Sequence, residues 1–143
     1  MQTANARKLQ EYFQEWLGAK AQSERDFVAL AEDGLPLRTI QRLIDRGLSK
    51  REIFSVVIHQ RTLKHRRSRR EPLSREESER AIRTARLLAR AQAVLGGQDA
   101  ALDWMRAPKK RFGGRPPFEM IATEPGGRLV EEMLIQIDEG MFA

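Results

Sequence analysis

The chain has 143 residues, 41% hydrophobic and 32% charged, enough apolar material for one packed domain with a small appendage and too much for a disordered chain. With 26 Lys and Arg against 20 Asp and Glu the net charge is +6 and the isoelectric point near 10.3, so a locally polyanionic partner is expected, nucleic acid first. The lack of cysteine excludes disulfides, thiolate zinc sites, iron–sulfur clusters and a thiol nucleophile, and it is compatible with a reducing cytoplasm, the expected location.

Taken from the N-terminus, Arg7, Glu11 and Glu15 interrupt the region where a signal peptide needs an apolar stretch, and no later run approaches about 18 apolar residues. No membrane segment is expected. Instead Ala6, Leu9, Phe13, Trp16 and Leu17 recur at helical spacing, predicting an amphipathic helix that stops near Gly18. Phe27, Val28 and Leu30 predict a second short helix closed by Asp33-Gly34. Pro36 suits the first turn of a third, carrying Leu37, Ile40, Leu43 and Ile44, with Gly47 as its left-handed stop. Ser49 with Glu52 has the form of a capping box, so a helix should start at Lys50 and run through Ile53, Val56 and Val57.

After a break at Ile58 to Gln60, residues 61–70 read as a basic helix anchored by Leu63 and ended by Pro72. A second capping box, Ser74 with Glu77, opens the longest helix, which carries Ile82, Ala85, Leu88, Ala89 and Leu95 and stops at Gly96-Gly97. A short helix from Asp99 to Met105 precedes a loop rich in Gly and Pro, 108–117, and a helical turn over Phe118 to Ala122. Pro125-Gly126-Gly127 then leads into a final helix with Leu129, Val130, Met133, Leu134 and Ile137 on one side. No window alternates with period two, so the expected fold class is all-α.

Charge is laid unevenly along these elements. Residues 38–70 hold eleven basic residues against Asp45 and Glu52, a local net of +9, whereas residues 119–143 hold six acidic residues against Arg128 alone, a net of −5. Two opposite surfaces suit two different partners, although each is also what a solvated helix face looks like. The helix from Lys50, its short turn and the basic helix after it have the size of a helix-turn-helix module. There Gln60, Arg61, Thr62, Lys64 and His65 would lie early on the reading helix, with Arg66, Arg67, Arg69 and Arg70 reaching phosphates. A solvated basic connector is the plainer alternative, and the turn Ile58-His59-Gln60 lacks the glycine common in such turns.

Other constellations carry less. His59 and His65 lack the further ligands a metal site needs, and Gly113-Gly114 between Arg111 and Arg115 lacks the strand and the Lys-Ser or Lys-Thr pair of a phosphate loop. Trp104, beside Leu102 and Met105, is either a core residue or a partner-facing anchor, core being the commoner case. The serines lack an apparent base, so no catalytic residues, no cofactor and no enzymatic activity are expected.

The residues resemble a known group, the bacterial antitoxins of the Xre/MbcA/ParS type. Gly47-Leu48-Ser49 through Ile58, Arg61-Thr62-Leu63 and His65-Arg66 look like that group's helix-turn-helix region. Ser74, Glu76-Glu77-Ser78 and the Ala-rich helix up to Leu95-Gly96 look like its linker helix. Ala100-Ala101-Leu102, Trp104-Met105, Pro108, Phe112-Gly113-Gly114, Pro116 or Pro117, Thr123, Gly126 or Gly127 and Gly140 follow the order of its toxin-binding domain. His59, where relatives often have proline, and the basic run Lys109-Lys110-Arg111 depart from the pattern.

The resemblance implies three parts: N-terminal helices over residues 1–33, a helix-turn-helix DNA-binding module with its linker helix over 34–96, and a small helical toxin-binding domain over 97–143. It implies an antitoxin of a type II toxin–antitoxin system that seals the cleft of a RES-domain toxin, which consumes NAD⁺ or ADP-ribosylates a target, and that represses its own operon by binding operator DNA. The expected toxin-binding residues are Trp104, Arg111, Phe112, Gly113, Gly114, Phe118 and Glu139, with the tail Met141, Phe142 and Ala143 carrying a carboxylate and two apolar anchors toward the cleft. The acidic segment supplies a physical reason, because a cleft that holds a pyrophosphate is expected to be electropositive. A homodimer is expected, since helix-turn-helix proteins usually read paired half-sites and the Ala-rich helix suits close packing. The alternatives are a transcription regulator whose C-terminal part only dimerises, and an adaptor whose basic face binds an acidic protein.

Overall fold

The structure is a computed structural model that describes residues 4–140. The helices are α1 (Ala4–Leu17), α2 (Glu24–Asp33), α3 (Arg38–Asp45), α4 (Lys50–Val56), α5 (Gln60–Arg69), α6 (Arg75–Leu95), α7 (Gln98–Arg106), α8 (Pro117–Met120) and α9 (Glu124–Asp138), with a 3-10 turn at Lys110–Phe112. The fold is all-α: among the described residues the one extended pairing is an isolated bridge between Lys109 and Arg115. No helix of the described residues is long and apolar enough to cross a membrane.

Local signals place most of these boundaries. Ser49 and Ser74 each accept a hydrogen bond from the backbone N–H three residues on, and Glu52 and Glu77 bond back to the cap, so both expected capping boxes form. A third, Ser23 with Asp26, opens α2 and escaped the sequence reading because aspartate stands where glutamate is usual. The basic helix ends earlier than Pro72 itself requires. Pro72 disfavours helical geometry at Glu71, and the chain leaves the helix at Arg70, which takes the left-handed conformation with φ 56°.

The start of the last helix differs from expectation. Thr123 is its N-cap, accepting from Gly126 N–H, so Gly126 and Gly127 lie inside the first turns of α9 rather than before it. The reason is close approach: a Cβ on Gly126 would stand 1.8 Å from the Met120 carbonyl oxygen. In that register Gly126, Gly127, Val130 and Leu134 face the core. Met133 and Ile137 are half-buried, and Leu129, expected inward, is 48% exposed.

The core is one continuous cluster from Phe13 to Leu134, built around α6, against which α1, α2, α4, α7 and α9 pack. Residue 96 therefore marks a change of helix and not a gap between two cores. Packing on several sides explains the alanines of α6, because Ala81, Ala85, Ala89 and Ala91 are at most 1% exposed and lie against neighbours of the same chain. They offer no surface to a second copy, which removes one of the grounds for expecting a dimer. The polar groups buried on α6 are matched: Ser78 Oγ accepts from Leu35 N–H at 2.9 Å, and Gln92 Oε1 accepts from the Trp16 indole at 2.9 Å. The N-terminal helix is thus a lid on the core.

Candidate nucleic-acid and partner interfaces

α4 and α5 are joined by the tight turn Val57 to His59, and α5 turns Leu63 into the core. Thr62 and Arg66 flank it and are half-buried, whereas Gln60, Arg61, Lys64, His65 and Arg67 are exposed. Helical spacing accounts for Arg61, Lys64 and His65, which point away from Leu63, whereas Gln60 and Arg67, three before and four after it, stand on its own side of the helix and are exposed all the same. Arg80, from α6, steadies the turn by donating from Nε to the Val57 carbonyl at 2.8 Å.

Arg66 is a correction to the phosphate-contact set. Its Nε and Nη2 donate to both oxygens of Glu77, at 2.6 and 3.1 Å, and its Nη1 donates to Glu71 at 3.1 Å. A guanidinium held in such a fork is spent within the chain. Thr62 likewise faces inward. Of the eleven basic residues in 38–70, Arg42 is bonded to the Glu15 carbonyl and Arg46 to Gln98 and Glu15. What remains outward on α5 is Arg61, Lys64, Arg67 and Arg69, the last within 3.9 Å of Glu71, followed by Arg70 at the cap.

The glutamates of the two capping boxes are perturbed in the same sense. Burial works against the charge of Glu77, but hydrogen bonds from Arg66 and from the Ser74 backbone outweigh it and hold its carboxyl below the ordinary value of 4.5. At Glu52 burial is again opposed, here by Arg106, which donates from Nε and Nη2 to its two oxygens at 2.9 Å each, and by Ser49. Both folded-state values are depressed, so the stability these pairs contribute is fully present above about pH 4.5 and is lost as the pH falls through the folded values. Urea unfolding repeated at descending pH is expected to show that loss, and E77Q should flatten it.

At the other end, the loop after α7 is pinned. The Lys109–Arg115 bridge closes it, Gly113 and Gly114 take positive φ, and Arg111 donates to the Gln136 side chain on α9. Trp104 is half-buried with the Lys109 ammonium 4.6 Å from its ring centroid, and burial lowers the Lys109 pKa. Phe112 packs half-buried against the core. Phe118 is only 5% exposed, so it anchors α8 from within and offers no face to a partner. Gly113, Gly114, Arg111 and Glu139 are exposed. The expected anchors Met141, Phe142 and Ala143 lie outside the described residues.

Residues 26–86 match a family described as the antitoxin Xre-like helix-turn-helix domain, and residues 90–140 match the antitoxin Xre/MbcA/ParS C-terminal toxin-binding domain. An Antitoxin Xre of Pseudomonas putida is 41% identical over 108 residues, 76% of this chain and 68% of that one. The chain belongs to the Xre/MbcA/ParS antitoxin family. An Antitoxin Xre of Yersinia enterocolitica is 33% identical over 99 residues, 68% of this chain and 67% of the relative. A protein of a Sphingobium species named Prs ADP-ribosylating antitoxin is 32% identical over 82 residues, 51% of this chain and 52% of that one.

In this Xre-family antitoxin the two matched spans meet on α6, the first covering α2 to the middle of α6 and the second running from its last turns through α9. The exposed basic side of α5 falls in the helix-turn-helix span, and the pinned loop and the acidic α9 fall in the toxin-binding span. Sequence reasoning missed the Glu52–Arg106 and Arg66–Glu77 pairs. Both capping glutamates were visible, but their arginines stand 54 and 11 residues away, and no local pattern links them.

Proposed function

We propose that this antitoxin neutralises a RES-type toxin by covering its NAD⁺-binding cleft with the segment from Trp104 to the C-terminus, and that it represses its own operon through α4 and α5. The match of residues 90–140 to a toxin-binding domain carries the first half. Charge supports it, because residues 119–143 have a net of −5 and Glu132, Asp138 and Glu139 are exposed, complementary to a cleft built for a pyrophosphate. In this reading Trp104, Arg111, Phe112, Gly113 and Gly114 form the body of the contact, and Glu139 with the tail Met141, Phe142 and Ala143 enters the cleft. The exposed Gln60, Arg61, Lys64, His65 and Arg67 face operator DNA, two chains reading the two halves of a paired site.

The deciding experiment is to purify the chain with the product of the neighbouring gene and to assay NAD⁺ turnover with and without it. Deleting residues 138–143 is expected to abolish inhibition while leaving DNA binding in place, and inhibition that survives the deletion refutes the cleft-sealing role of the tail. Arg61→Ala and Lys64→Ala are each expected to weaken DNA binding by roughly 1–3 kcal/mol with neutralisation intact. Loss of both activities together would contradict the division of labour. Log affinity should also fall with log salt at about 0.9 per phosphate contact, and a flat response would favour the adaptor reading.

A further inference from the structure

The reading helix is held by little packing of its own, since Leu63 is the one buried residue that α5 contributes. Besides the Arg80 bond to the α4–α5 turn, two matching ion pairs tie the module to its neighbours, one on α5 itself and one on α4 before it. Arg66 reaches from α5 to α6 and makes a bidentate pair with Glu77, the third helical residue of the α6 capping box. Arg106 reaches from α7 to α4 and makes a bidentate pair with Glu52, the third helical residue of the α4 capping box, while also donating to the Gly47 carbonyl at 2.8 Å. In each case the carboxylate joins a helix start to a guanidinium carried by another helix. A planar fork on a carboxylate that is itself tied to backbone fixes direction as well as distance.

We infer that Arg66 and Arg106 are positioning residues for DNA reading: through Glu77 and Glu52 they lock α5 to α6 and α4 to α7, so that the toxin-binding part of the chain sets the angle at which the outer side of α5 is presented. This rests on the DNA-binding half of the proposed function. Arg106 lies in the span matched to the toxin-binding domain, and Glu52 in the span matched to the helix-turn-helix domain. The pair therefore bridges the two working surfaces. Neither arginine needs to touch a phosphate to matter.

The test uses the full chain carrying E52Q or E77Q, with binding measured across a range of salt to the duplex immediately upstream of its own gene and to a mixed-sequence duplex of equal length. Glutamine still serves at this position of a capping box, so the helix starts survive while the charged fork is lost, and circular dichroism reports whether the variants fold. The sign of the result discriminates. Removing a carboxylate from a DNA-binding protein raises affinity if only electrostatics is at work, whereas loss of positioning lowers affinity for the upstream duplex, by roughly tenfold, with the mixed duplex unaffected or tighter and the salt slope unchanged.

Arg66→Lys and Arg106→Lys, which keep the charge but not the fork, should behave in the same way. Arg67→Ala, at an exposed position, should instead weaken both duplexes and reduce the slope by about 0.9. Tighter or unchanged binding of the upstream duplex by E52Q and E77Q overturns the inference, as does a reduced slope in Arg66→Lys. A native chain that never prefers the upstream duplex overturns the DNA reading itself, and the inference falls with it.

Discussion

Gly126→Ala is expected to destabilise the protein by about 3 kcal/mol or more, against the intrinsic preference of a helix for alanine over glycine of up to about 1 kcal/mol. The cause lies in the turn from α8 into α9. Gly126 sits in the first turn of α9 with the Met120 carbonyl directly over it, so the added methyl would stand 1.8 Å from that oxygen and 2.8 Å from the carbon bearing it. Both are backbone atoms and no rotamer change relieves them. α9 must move away from α8, taking Val130 and Leu134 out of the core. Urea unfolding followed by circular dichroism checks this, and a stabilised variant would mean that α8 and α9 do not pack as described. Gly127→Ala is expected to be milder, because the nearest atom there is Cδ of Arg83 at 2.7 Å, on a long side chain that can bend aside.

Trp16→Ala should be the most damaging substitution outside the matched family spans, at about 3–5 kcal/mol. The side chain is fully buried, donates from its indole N–H to Gln92 on α6, and is covered by the Arg46 guanidinium 4.9 Å from the ring centroid. Truncation leaves a cavity where α1 meets α6 and strands the Gln92 amide without its donor. Trp16→Phe separates the two effects: it keeps most of the volume and removes the hydrogen bond, for an expected cost of about 1–3 kcal/mol. Chemical denaturation of both variants measures the difference. Equal stability of native chain and Trp16→Ala would show that α1 is dispensable to the core.

Both predictions concern places where local sequence and tertiary structure pull apart. Gly126-Gly127 after a proline reads as a breaker, because by propensity it is one, and only the approach of the α8 carbonyl makes glycine the residue that lets the helix begin there. Trp16 was legible as a member of an apolar stripe, yet nothing in the stripe names Gln92, 76 residues away, as its partner. The alanines of α6 show the same limit. Their small size signals close packing, and the packing turned out to be internal.

The candidate sites divide similarly. Helical spacing from the anchor Leu63 places Arg61, Lys64 and His65 outward, but not Gln60 and Arg67, which stand three before and four after it and whose exposure only the structure shows. Arg66 could not be assigned, because a guanidinium at an inner edge of a helix can turn to solvent or to a neighbour and the neighbour is supplied by α6. Phe118, expected at the toxin contact, is core, because α8 turns it inward.

By itself the sequence determined the all-α class, the helix starts at Lys50 and Arg75, the stop at Gly96 and the separation of basic from acidic segments. Caps, periodicity and charge are properties of a few neighbouring residues, so they can be read in one dimension. Only the tertiary structure decided which arginines are spent on internal carboxylates, which apolar residues of α9 are covered, and that both halves share one core around α6. Those outcomes depend on groups far apart in the chain meeting at a few ångströms, and burial and geometry settle them together.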